Sequence, residues 1–173
     1  MATCRPTMRK TGDKVMSRLK ELRKFVDKKL AKWIDDDVDR AKAEAHLYGV
    51  SFAAAVIAQR RGMSPQQIEL LQIAGMLHDV YAYKTGSYED HAHKGAELAG
   101  QILDELKLTS PEENSLIQSA IYHHDDKAAV DSPADEVLKD ADAMHHIYND
   151  LSKPVKDKEA ARYTDLKKEF GIE

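Results

Sequence analysis

The sequence predicts an all-α, single-domain bundle of about seven helices. Apolar residues recur at helical spacing through most of the chain. No segment alternates apolar and polar residues as a half-buried strand does, and no Asn-Gly or Asp-Gly hairpin turn occurs. Three Ser-Pro pairs, at 64–65, 110–111 and 132–133, each read as an N-cap followed by the first helical residue. The 173 residues are enough for one domain with a sizeable core. Neither a repeat, a low-complexity tract nor a linker-like change of composition divides them.

Residues 1–12 show no periodicity and are expected to be a disordered start. From Asp13 to Ile34 the apolar residues Val15, Leu19, Leu22, Val26, Leu30 and Trp33 share a stripe, with eight Lys or Arg between Lys14 and Lys32. This predicts an amphipathic N-terminal unit over 13–36, docked on the domain by its apolar stripe with the basic face in water. The core is expected over 37–152. It opens with a helix from about Asp37 to Arg61 that carries His46, Val50, Ala53 and Ile57 on one side and stops at Gly62. Ser64-Pro65 starts the central helix, whose segment Ile68–Asp79, IELLQIAGMLHD, is apolar nearly all round and belongs in the middle of the core. The stretch 80–89 is rich in turn residues and Tyr and predicts a loop. Asp90 then caps a helix with the stripe His91, Gly95, Leu98 and Ile102. Ser110-Pro111-Glu112-Glu113 opens the next, with Ile117, Ile121 and His124 in line, and Ser132-Pro133 the one after. A charged surface helix over about 156–170 closes a C-terminal segment at 153–173.

Acids exceed bases by 30 to 26, a net charge of −4 with His neutral, so no overall field draws the chain to nucleic acid or an anionic membrane. The single Cys4 excludes an internal disulfide framework and a multi-cysteine zinc site, and fits a reducing compartment. The longest purely apolar run, Phe52–Ala58, is far short of a membrane span, and the N-terminus has no secretory apolar stretch. The expectation is a cytoplasmic protein with no membrane and no nucleic-acid partner. The oligomeric state stays open, a homodimer included.

The central helix ends in His78-Asp79, and burying an imidazole and a carboxylate unpaired costs several kcal/mol. A metal ion shared with other helices removes that cost. His46 lies on the inward stripe of its helix, His78 continues the row of Ile68, Leu71 and Gly75, and Asp142 follows Leu138 by one turn. Neighbouring helical residues diverge by about 100°, so His78 and Asp79 converge on one ion only because the helix ends there. Asp140 is the competing carboxylate, on another side of its helix. His91 and His124 lie on two further inward stripes, and spacing alone barely separates His124 from His123. His93 is expected to face solvent, and His145 and His146 to stand behind the ligands or at the surface.

This ordered pattern resembles the HD superfamily of metal-dependent phosphohydrolases: a lone His in HLYGV, a His-Asp pair in AGMLHDV, and a distant Asp in LKDADAMHH. The separations are 32 residues (46 to 78) and 63 (79 to 142), and the resemblance spans roughly residues 40 to 150. It implies the HD-domain helical fold and His46, His78, Asp79 and Asp142 as metal ligands. DHAHKGAELA resembles the H-x-x-x-G-A helix start of a subset of that family, which matches His91, and AIYHH resembles a further His-bearing helix, which favours His124. In that subset these His bind a second metal or meet the substrate phosphate. The G-Y-P triplet of the cyclic-di-GMP branch is absent after His124, and the usual Ile-Gly-Lys after the pair is replaced by Val80-Tyr81-Ala82-Tyr83-Lys84, so the family's substrates are not carried over.

The resulting expectation is one or two divalent ions (Mn, Fe, Co, Ni, Zn or Mg) and hydrolysis of a small phosphorylated molecule such as a nucleotide. The ion polarises a phosphoryl oxygen and lowers the pKa of a water that attacks in line. Asp79 bridges or orients, His91 and His124 steady a second ion or protonate the leaving oxygen, and Lys84 is a candidate phosphate contact. The alternatives are a diiron oxygenase on the same scaffold and a non-catalytic metal- or nucleotide-binding module. No Gly-rich phosphate loop, G-x-S-x-G elbow or Cys-x-x-Cys pair offers another chemistry.

Overall fold

A computed structural model of the chain describes residues 17–172. They form α1 (Arg18–Trp33), α2 (Asp37–Arg60), α3 (Pro65–Leu77), α4 (Val80–Thr85), α5 (His91–Leu106), α6 (Pro111–His123), α7 (Pro133–Asn149), a 3-10 turn (Asp157–Glu159) and α8 (Ala160–Phe170). The all-α expectation is met, with no strand among the described residues. The expectations for residues 1–12 and for Val15 lie outside them. Ser17 caps α1 by accepting from the Lys20 amide. One element departs from the expected loop over 80–89: α4 forms because Val80 and Ala82 are buried, and Gly86, at φ 71°, ends it. Among the described residues no helix is long and apolar enough to cross a membrane.

The three Ser-Pro starts behave as their chemistry dictates. Ser64, Ser110 and Ser132 each close a capping box, with Gln67, Glu113 and Asp135 as the reciprocal partners. Asp90 departs from its expected role. It holds the cap position of α5 in the left-handed region, and its carboxylate pairs with His93 at 2.7 Å instead of capping the helix amides.

α3 is the axle of the bundle, packed on by α1, α2, α6 and α7. Every residue from Leu70 to Leu77 except Gln72 is buried, as an all-round apolar helix requires. α1 lays Leu22, Val26 and Leu30 on the core while Lys20, Arg23, Lys24, Lys28 and Lys32 stay in water. Arg18 pins it, reaching Glu69 at 2.5 Å and Glu113 at 2.9 Å. α2 and α3 cross closely at Gly75, where an added Cβ would sit 2.6 Å from the Ser51 Cα. Backbone lies on both sides, so nothing yields cheaply. Gly75→Ala is therefore expected to cost about 1–3 kcal/mol by overpacking, roughly 2–12 °C in melting temperature. An unchanged melting temperature would show that the crossing is looser than drawn.

Candidate metal centre

The site forms where α3 stops. His78 is the C-cap of α3, and Asp79, at φ −108° and ψ 9°, breaks the helical run before α4 begins. The break turns two consecutive side chains onto one point, with His78 Nε2 3.6 Å from Asp79 Oδ2. α2 supplies His46, whose Nε2 lies 3.0 Å from His78 Nε2 and 3.4 Å from Asp79 Oδ2. α7 supplies Asp142, with Oδ1 3.6 Å from His46 Nε2 and 3.7 Å from His78 Nε2. The first residue of α5, His91, and the residue just past α6, His124, each place Nε2 3.4 Å from Asp79 Oδ1. Thus the two oxygens of one carboxylate face two different pairs of imidazoles.

The imidazoles are held in one tautomer. His78, His91 and His124 each set Nδ1 2.7–2.8 Å from the carbonyl three residues earlier, at Gly75, Tyr88 and Ile121. A carbonyl only accepts, so each Nδ1 carries the proton and each Nε2 offers a lone pair to the centre. Burial pushes His78 down to about 3, which keeps it neutral and ready to ligate.

Lone pairs from His78, His91 and His124 therefore face the Asp79 carboxylate with no proton between them. Among the described residues, the buried Asp79 Oδ1 and Asp142 Oδ1 have no hydrogen-bond partner. Orphaned carboxylate oxygens of this kind are costly unless a cation completes them. Three donor groups of metal-binding spacing result: His46/His78/Asp79, His46/Asp142/His146 and Asp79/His91/His124. The residues present fit divalent ions.

The structure brings together six of the residues singled out in the sequence: His46, His78, Asp79, His91, His124 and Asp142. It separates His124 from His123, which turns its Nδ1 to the Ser119 carbonyl at 3.0 Å and lies toward Asp131 and Asp135. Asp140 points away, to Arg61 at 2.6 Å and Arg162 at 2.7 Å. His93 is exposed, as expected. Lys84 is corrected: it sits exposed near the end of α4 and does not line the cleft over the centre. The lysine at the centre is Lys127, whose side chain is 1% exposed and whose Nζ donates to Asp142 Oδ2 at 2.6 Å and to the His124 carbonyl at 2.7 Å. Periodicity had no means of finding it, because it stands in the loop between α6 and α7. His145 and His146 also come to the centre, His145 placing Nδ1 3.0 Å from His46 Nδ1. Gly49 makes room for it, since a Cβ there would meet the His145 ring at 2.1 Å.

A cleft of about 850 Å³ opens over these groups. Tyr83 and Tyr88 stand on one side and Lys42, Lys153, Lys156 and Lys158 around the rim. A family model described as HD domain matches residues 44–147, more than half of the chain. The structure of a predicted HD superfamily hydrolase from an uncultured Thermotogales bacterium is similar in fold, at 21% identity and a TM-score of 0.58 over 87% of each chain. No curated protein matches the chain.

Proposed function

The chain belongs to the HD domain family, and from that membership and the geometry of its centre we propose a metal-dependent phosphohydrolase. Its substrate is a nucleotide or a similar small phosphorylated molecule, cleaved at a phosphoester or phosphoanhydride bond. The observation that carries this reading is the buried Asp79 carboxylate, with Oδ2 turned to His46 and His78 and Oδ1 to His91 and His124. His46, His78, Asp79 and Asp142 are the residues that would hold one divalent ion, and Asp79, His91 and His124 a second. Such ions, when bound, polarise a phosphoryl oxygen and lower the pKa of water.

The chain's own residues prepare the rest. Their Nδ1–H bonds aim the imidazoles before any ligand arrives, so little reorganisation is left for the reaction. Burial pushes the Tyr83 phenol up, so it keeps its proton and serves as a donor to an anionic substrate in the cleft. Rim lysines are each tethered to a carboxylate, Lys42 to Asp39 at 2.8 Å and Lys158 to Asp125 at 2.7 Å. The tethers place positive charge at the mouth without making it a broad basic patch. The cleft falls in the size range of sites for single small molecules, about 300–1,000 Å³.

The test is phosphate release from nucleotides and generic phosphoesters by the full chain reloaded with Mn, Co, Ni, Zn or Mg after chelation. Turnover that needs the ion and stops with EDTA is the expected result. Iron uptake with oxygen consumption and no phosphate release would replace this reading with the oxygenase. Metal binding without turnover on any phosphoester would leave a binding module.

A further inference from the structure

We infer that His146, oriented by Glu159, is an additional ligand to the ion that His46 and Asp142 hold. This rests on the metal-dependent reading above and extends its donor set to a residue outside the ordered His, His-Asp, Asp pattern.

His146 follows Asp142 by one helical turn on α7, so both side chains leave the same face. Its Nε2 lies 3.5 Å from Asp142 Oδ1, one of the two orphaned carboxylate oxygens. The other Asp142 oxygen is already taken by Lys127. On the far side of the ring, Nδ1 lies 2.9 Å from Glu159 Oε1. Glu159 is 1% exposed and belongs to the 3-10 turn. A buried carboxylate accepts and does not donate, so the His146 Nδ1 carries the proton. The Nε2 lone pair then faces an ionised oxygen with no hydrogen between them. Two electron-rich atoms so placed, beside the Nε2 of His46, mark a position for a cation, and the three donors have the spacing to share one. The His46 and His146 rings stack with planes 10° apart, so the two imidazoles sit side by side rather than crossing.

The arrangement also explains why Glu159 is buried. A carboxylate behind an imidazole raises that imidazole's strength as a ligand and fixes its tautomer, and the ion's charge reaches back to the carboxylate. Glu159 is thus a positioning residue, and through it the C-terminal segment is tied to the centre rather than lying free on the surface.

The experiment is a Co(II) titration of the chelated full chain, followed through the cobalt d–d absorption, which reports the number and type of donors. Wild type, His146→Ala and Glu159→Gln are compared, with circular dichroism of each metal-free chain as the check on folding. His146→Ala is expected to weaken Co(II) binding by about 10–100-fold and to change the band, with Glu159→Gln giving a smaller loss in the same direction. If His146→Ala fails to fold, the band of Glu159→Gln decides. Variants that bind Co(II) with the affinity and spectrum of the wild type overturn the assignment. A wild type that takes up no Co(II) overturns it together with the metal-dependent reading. Loss of cobalt in the variants beside a wild type inert on every phosphoester supports the ligand and sinks only the hydrolase.

Discussion

Asp79→Asn is expected to lower metal-dependent phosphoester turnover by about 10³-fold or more, equivalent to about 4 kcal/mol of transition-state stabilisation. It is also expected to abolish the rise in melting temperature that metal gives the wild type. The substitution keeps the volume and removes the charge on which both imidazole pairs converge, with His46 and His124 each 3.4 Å from the carboxylate. Binding at a hundredfold excess over Kd stabilises by about 2.7 kcal/mol, worth roughly 5–10 °C in a chain of this length. The metal-free variant should be no less stable than the metal-free wild type. The asparagine replaces a buried anion whose Oδ1 has no hydrogen-bond partner among the described residues. Misfolding and loss of the centre are thereby told apart. A variant that keeps the thermal shift would show that Asp79 is not a ligand.

Lys127→Met is expected to destabilise the chelated chain by about 3–5 kcal/mol, the usual cost of breaking a buried ion pair by removing one partner. The Lys127 ammonium donates to Asp142 and to the carbonyls of His124 and Lys139, and methionine satisfies none of them. Burial pushes the Asp142 carboxyl up, but the Lys127 ammonium bonded to it outweighs burial and sets it well below its ordinary range. A carboxyl depressed in the folded state stabilises fully above its unfolded value, about 4, and loses that contribution as the pH falls below it. The gap between wild type and variant should therefore be widest near neutral pH and narrow below about pH 4. Denaturant unfolding at pH 7 and pH 3 measures both. An equal gap at the two values would mean that Lys127 acts through packing alone.

Much of this was legible along the chain. Ser64, Ser110 and Ser132 announce helix starts because a hydroxyl before a proline satisfies amides that have no other partner, whatever surrounds it. The apolar girth of Leu70–Leu77 places α3 at the centre for the same local reason. α4 was missed because six residues are too few to show a period, and their helicity comes from burying Val80 and Ala82. Lys84, a candidate phosphate contact from its place in the stretch after Asp79, is exposed. Lys127, much further along, is the one that reaches the centre, because the loop after α6 folds back over α7.

By itself, then, the sequence determined what is periodic or chemical: the all-α class, the helix starts, the central helix, and five His and Asp turned inward. These follow from spacing on one helix and from the cost of burying polar groups. Only the tertiary structure chose His124 over His123, set Lys127 against Asp142, and stood Glu159 behind His146. Each of those depends on where separate elements meet, and the direction of a loop or the end of a helix is fixed by packing between segments that no single period records.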